Sequence, residues 1–314
     1  MKANLSNVVS CLTIITSLVF SIVTSAKTTV VAIQGLAGEE YYQRHFDEQI
    51  GKIKSASSKL TNDQNLVVFT PDSQKKSILP SLNEVSQSLD SNDLLVIYLV
   101  GHGSFDGRDY KFNISGPDIT GNELFDFIAQ TSSSVVLINT SSSSGALLKL
   151  FEESFKGKQT NSKLIVVTAT KSGAERTATR FGRHLADALI APQADVNKNK
   201  SISLQEAYDF AVRETQDFFE TEGLLATENS RLQIFPGSAQ PNQIRIANLT
   251  EQAAINNNQL TALYQKRDEL DRQIDTLRLR RINIGEEEYL EQFQLLMIEL
   301  SLLQGEIEEE ADSQ

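Results

Sequence analysis

Leu94-Leu95-Val96-Ile97-Tyr98-Leu99-Val100 stops at Gly101-His102-Gly103, and Val135-Val136-Leu137-Ile138-Asn139-Thr140 runs into Ser141-Ser142-Ser143-Ser144-Gly145. Near-continuous apolar runs of this length read as strands buried on both faces, as in a parallel sheet covered by helices. Open α/β sheets place their ligands at the carboxyl ends of such strands. The glycines beside His102 let the chain turn sharply and leave the ring exposed. His45 and His184 fall in helical stretches among charged residues, which leaves His102 as the histidine placed to act as a base. The serines make a small-residue turn ahead of a helix. A nucleophile would stand there beside the base, or serine simply caps the helix.

Working outward, short β-branched runs at 28–33, 65–70, 93–100, 134–139 and 163–169 alternate with helical stretches. Those stretches are 39–58, 79–89, 121–130, 146–155, 178–190 and 204–219. The alternation predicts a doubly wound α/β domain with a mostly parallel sheet over residues 27–245. Residues 234–248 read as a connector with room for a last short strand. From about residue 252 the pattern changes: Leu263, Leu270, Ile274 and Leu277 recur at heptad spacing. After Ile284-Gly285, a second series runs through Tyr289, Phe293, Leu296, Leu300, Leu303 and Ile307. Two such series around a short break predict an antiparallel helical, coiled-coil hairpin over residues 250–310. That hairpin either packs on its own domain or serves self-association or a partner.

At the N-terminus, Lys2, the mainly apolar stretch 8–23 and Thr24-Ser25-Ala26 read as a secretory signal peptide over residues 1–26. The stretch falls short of the ~20 residues of a comfortable span and is broken by Ser10, Thr13, Thr16 and Ser17. The mature chain is therefore expected to be exported, periplasmic or secreted, with no stable membrane span. Cys11, the only cysteine, lies in the same segment, so the mature chain is expected to lack thiols and disulfides. A net charge of −12 on 314 residues argues against nucleic acid or anionic lipid as the main partner.

The stretches DLLVIYLVGHGSFDG, SVVLINTSSSSGALL and LIVVTATKSGAERTATRFGRHLADAL resemble the caspase–legumain clan of cysteine peptidases, in particular its legumain-like branch, over about residues 28–220. The resemblance implies a caspase-like fold in which Gly-His-Gly after the third strand supplies the base, matching His102. It places the nucleophile after the fourth strand, in an acidic-small-Cys-x-Ser-Gly turn. Aligned on Ser144-Gly145, that turn puts Ser142 at the cysteine position and Thr140 at the acidic one. The departure is chemical: a cysteine works as a thiolate formed before attack. A serine needs a general base oriented by a third group, and Asp106, Asp109 or Asp118 would have to fold back to supply it.

The expectation is thus a pseudo-peptidase that requires no cofactor and binds peptide or protein without turnover. Backbone N–H groups near Ala146 suit a carboxylate or a peptide carbonyl, with Gly103 and Gly145 lining the place. Arg176, at the same sheet edge, pairs either with an acidic side chain of the ligand or with a surface carboxylate nearby. Two alternatives stay open. One is a hydrolase with Ser142 or Ser141 as nucleophile and His102 as base; the other is a scaffold that presents the hairpin.

A second motif, Asp195-Val196-Asn197-Lys198-Asn199-Lys200-Ser201-Ile202-Ser203-Leu204-Gln205-Glu206, has oxygen side chains at positions 1, 3, 5, 7, 9 and 12. That is the spacing of an EF-hand-like calcium loop. Candidate ligands are Asp195, Asn197, Asn199, Ser201, Ser203 and Glu206. Lys200 stands where glycine normally permits a left-handed turn, and two of the usual carboxylates are amides. Both changes predict weak Ca2+ binding at best, and the other reading is a loop that only keeps the shape and caps the next helix.

Overall fold

The computed structural model describes residues 26–61, 63–156, 163–249, 258–281 and 284–312. Residues 1–25, which hold Cys11 and all but the last residue of the expected signal peptide, and residues 250–257 of the expected hairpin lie outside the described residues. In chain order the elements begin with β1 (Thr28–Gln34), α1 (Glu40–Leu60), β2 (Leu66–Phe69), α2 (Lys75–Gln87) and β3 (Leu94–Val100). A small meander follows: β4 (Gly103–Phe105), β5 (Tyr110–Phe112) and β6 (Ile119–Thr120). Then come α3 (Gly121–Gln130), β7 (Ser134–Asn139), α4 (Ala146–Phe155), β8 (Leu164–Thr168) and α5 (Phe181–Ala188). The chain continues with β9 (Ser201–Ser203), α6 (Leu204–Thr221), β10 (Arg231–Ile234) and β11 (Arg245–Asn248). It closes with α7 (Asn258–Arg280) and α8 (Glu286–Asp312).

The main sheet has the order β10-β8-β7-β3-β1-β2, and every neighbouring pair is parallel except the edge pair β10–β8. Side chains of each strand alternate between two apolar layers. Val96 and Tyr98 join Val30, Val136, Phe46 of α1 and Leu185 of α5 on one face. Leu95, Ile97 and Leu99 join Ile78, Leu124 and Phe151 of α2, α3 and α4 on the other. This is a doubly wound α/β architecture with helices on both faces. Because β1 is followed by β2 on one side and β3 on the other, the sheet reverses between β1 and β3, and the crevice at their carboxyl ends is the ligand position of such folds.

Two helix starts differ from expectation. Helix α2 begins at Lys75, ahead of Pro80, which sits inside it. Pro80 there costs the helix one backbone bond, and Lys75 ties the turn ahead of it to Glu123 at 2.9 Å. Helix α5 begins only at Phe181, because residues 170–180 form a strap bonded to the serine turn. The meander and β9 are too short to show a period; β11, paired antiparallel with β9, is the expected last strand.

The C-terminal end of α1 gathers both ends of the α/β unit. Thr61 Oγ1 donates to the Thr28 carbonyl at 2.8 Å, and Asn248 Nδ2 donates to the Lys59 carbonyl at 3.0 Å. Helices α7 and α8 run antiparallel: Lys266 pairs with Glu299 at 3.4 Å, while Arg278 lies over the Phe293 ring at 5.8 Å. Leu270, Leu303 and Ile307 are buried between them, with Leu263, Leu296 and Leu300 packed around. Among the described residues, no helix is long and apolar enough to cross a membrane.

Candidate functional site

The carboxyl ends of β1, β3 and β7 bring together the loop after β1, His102 and the serine turn. Steric closeness explains the glycines. A Cβ on Gly101 would lie 3.1 Å from the Gly35 Cα, and one on Gly103 would lie 2.4 Å from Ser141 Oγ. Gly103 is therefore where the meander presses onto the serine turn, rather than a residue facing open space.

His102 is half-buried, and its Nε2 lies 3.1 Å from the Ala37 carbonyl oxygen. A carbonyl only accepts, so Nε2 carries the hydrogen, and the neutral ring keeps its lone pair on Nδ1. The ring stands edge-on to Tyr42 at 4.7 Å and to Phe46 at 5.2 Å. Sequence reading did not single out these two; their i, i+4 spacing on α1 is the only signal they give. The backbone of the first loop thus orients the histidine, and among the described residues no aspartate bonds to it. Asp106 accepts from the Asp109 and Arg108 amides, which hold its carboxyl below the usual range. Asp118 accepts from Ile114 N and Asn113 Nδ2.

Each serine of the turn has a different environment. Ser141 is fully buried in a closed ring of hydrogen bonds. Its Oγ donates to Asn139 Oδ1 at 2.8 Å, Asn139 Nδ2 donates to the Tyr110 hydroxyl at 2.8 Å, and that hydroxyl lies 2.7 Å from Ser141 Oγ. With the other two donors fixed, the Tyr110 proton goes to Ser141. Burial pushes the Tyr110 phenol up to about 12. Ser142 is only 5% exposed, and its Oγ donates to the Thr177 carbonyl at 2.9 Å. Ser143 is held at φ +59°, and its buried Oγ has no hydrogen-bond partner. Ser144 and Gly145 lean on the strap: the Gly145 N–H donates to Thr170 Oγ1 at 2.8 Å.

The strap closes the turn from above. Ser143 N donates to the Glu175 carbonyl at 2.8 Å, and Thr179 Oγ1 donates to the Thr140 carbonyl. A Cβ on Gly145 would meet Ser172 N at 2.2 Å. The expectation of open N–H groups near Ala146 is corrected here, since Ala146 N donates to the Ser143 carbonyl and Leu147 N to the Ser144 carbonyl. Nor does Arg176 hold the ion pair at this edge: Lys171 and Glu175 form it at 3.6 Å, and Arg176 stays exposed. At the far end of the strap, buried Glu228 accepts from Arg180 N at 2.7 Å and Phe181 N at 3.1 Å. Burial pushes its carboxyl up to about 7, against the pull of those two donors and of Arg180.

The loop ahead of α6 is held by its own backbone. Glu206 Oε2 accepts from Ser203 N and Oγ in a capping box, while Oε1 accepts from Val196 N at 3.1 Å. Asp195 accepts from Asn199 N and Lys200 N, and burial raises its carboxyl. Asn197 and Asn199 accept from Asn199 N and Ser201 N, and the Ser201 hydroxyl turns to Asn248. Lys198 and Lys200 sit at φ +60° and +66°. As a calcium site the fit is poor: both carboxylates face backbone donors, and the Ser201 and Ser203 hydroxyls point to other partners.

No family model and no curated protein matches the sequence. Solved structures do. The chain is similar to a structural-genomics protein from Geobacter sulfurreducens, at 12% identity and TM-score 0.45, over 72% of this chain and 99% of that one. It is similar to drICE, at 10% identity and TM-score 0.40, over 68% and 90%. Caspase-1 from Spodoptera frugiperda is similar at 7% identity and TM-score 0.42, over 67% and 86%.

Proposed function

We propose that this chain is an exported pseudo-peptidase of caspase-like, legumain-related architecture that binds peptide or protein without cutting it and requires no cofactor. The observation that carries the reading is the Ser142 hydroxyl bonded to Thr177 instead of to His102. A serine acts as a nucleophile only when a base takes its proton during attack, and here the Ser142 hydroxyl gives its hydrogen to the Thr177 carbonyl, not to the His102 ring. Calcium at the loop 195–206 would have to share Asp195 and Glu206 with the backbone donors they already accept from.

The test is labelling of the mature protein with a serine-reactive fluorophosphonate, beside Ser142→Ala, Ser141→Ala and His102→Ala. No labelling of the folded protein is expected. Stoichiometric labelling, lost in His102→Ala and in one serine variant, would overturn the reading and establish a hydrolase.

A second reading, the scaffold, is favoured by two observations. The serine turn is buried beneath its strap, and α8 carries exposed Leu295, Ile298 and Leu302 on its outer side. In that reading the α/β domain supports the hairpin, and the hairpin makes the contact.

A further inference from the structure

Leu295, Ile298 and Leu302 are 62%, 50% and 67% exposed, at i, i+3 and i+7 on α8. They form one stripe away from the Leu303 and Ile307 core, its Leu295 end bordering a cleft lined by Gln273, Leu277 and Arg280 of α7 and by Gln243. The same face continued outward places exposed Glu288 and Glu291 before the stripe and exposed Glu306 and Glu309, four and seven residues past Leu302, after it. Helix α8 contains no lysine or arginine. Its inner side meets a cation from α7, Lys266 against Glu299, whereas among the described residues no ion pair involves Glu288, Glu291, Glu306 or Glu309.

We propose that this stripe is a docking surface for a cationic amphipathic helix of another protein, with apolar residues at i, i+3 and i+7 and Lys or Arg one to two turns beyond each end. Charge decides the occupant. A second copy laid antiparallel about Ile298 would set Glu288 and Glu291 against Glu306 and Glu309, and a parallel copy would set each cluster against itself. An anionic lipid surface meets the same repulsion. A cationic helix satisfies all four carboxylates while covering the leucines, in the helix-against-helix mode of recognition. The proposal rests on the reading of the chain as a binding protein and names the surface that binds.

The full-length mature protein would be titrated by fluorescence anisotropy into a labelled 21-residue Leu/Lys peptide of that pattern, beside its Leu/Glu counterpart. Binding of the Lys peptide alone is expected. It should fall at least tenfold in Leu295→Ser/Ile298→Ser/Leu302→Ser, and equally in Glu288→Gln/Glu291→Gln/Glu306→Gln/Glu309→Gln, which should also flatten its salt dependence. All these positions are exposed, and circular dichroism checks that the variants fold. Undiminished binding by the serine variant overturns the proposal. So does a wild-type dimer, or binding to phosphatidylglycerol vesicles, that the same variant abolishes. None of these readouts involves Ser142, so failure here is distinct from fluorophosphonate labelling.

Discussion

The Ser142 hydroxyl donates to the Thr177 carbonyl at 2.9 Å, so the residue at the nucleophile position is tied to the strap above it. A thiol at this position would lie in the same closed place, with the His102 ring still fixed to Ala37. Ser142→Cys is therefore expected to give an ordinary or suppressed thiol, with an iodoacetamide-labelling midpoint at or above about 8.5. Adding His102→Ala should leave that midpoint in place. A midpoint below neutrality that rises with His102→Ala would show the imidazole reaching the sulfur.

The ring of Ser141, Asn139 and Tyr110 is a satisfied buried polar network. Removing one member leaves the other two short of a partner, which costs about 1–3 kcal/mol. Ser141→Ala and Tyr110→Phe should each lower stability in urea unfolding by that order. Together they should cost clearly less than their sum, because the second change removes a group already orphaned.

Ser143 combines a left-handed backbone with a buried, unpartnered hydroxyl. Glycine relieves both. Ser143→Gly is expected to stabilise by about 1 kcal/mol, read as a raised Tm with no change in the secondary-structure spectrum; a lowered Tm would mean that packing by the serine methylene outweighs the strain.

Glu228 sets a pH dependence whose sign follows from its raised carboxyl, displaced upward by burial to about 7 from an ordinary 4.5. The native state holds the proton over that window while the unfolded state has released it, so stability from this group falls as pH rises from about 4.5 to 7 and is level above. The stability difference between wild type and Glu228→Gln should change across pH 5–8 in that direction. A difference independent of pH would mean that the Arg180 and Phe181 amides keep the carboxylate ionised throughout.

Glu206 caps α6 and holds Val196 at once. Glu206→Gln is expected to cost about 1 kcal/mol, equally in EDTA and in millimolar calcium. A loss seen only with calcium present would assign the residue to a bound ion.

What the sequence displays depends on distance along the chain. β3 and β7 were legible because burial on both faces demands unbroken apolar runs, and Gly-His-Gly marks a strand end sterically. α7 and α8 were legible from heptads. By contrast, the hydrogen-bonded ring joins residues about thirty positions apart through a meander of three-residue strands, and nothing local announces it. Residues 178–180, the end of the strap, read as the start of α5, but the strap bonds to the serine turn, as Thr179 does to the Thr140 carbonyl, and the helix starts at Phe181. Tyr42 and Phe46 carry no local signal of their role, since the His102 ring they pack against lies more than fifty residues along the chain.

Thr28 and Asn248 both reach the last turn of α1, so the α/β unit is close to a closed loop of chain. A circular permutant that joins those ends and opens at the exposed turn around Gly107 would keep every strand pairing of the main sheet. The arrangement also gives the unit two poles. Whatever is attached at either terminus hangs from the amino-end pole of β1, about 20 Å along the strand from the histidine and the serine turn. A tether at one end therefore need not obstruct the other.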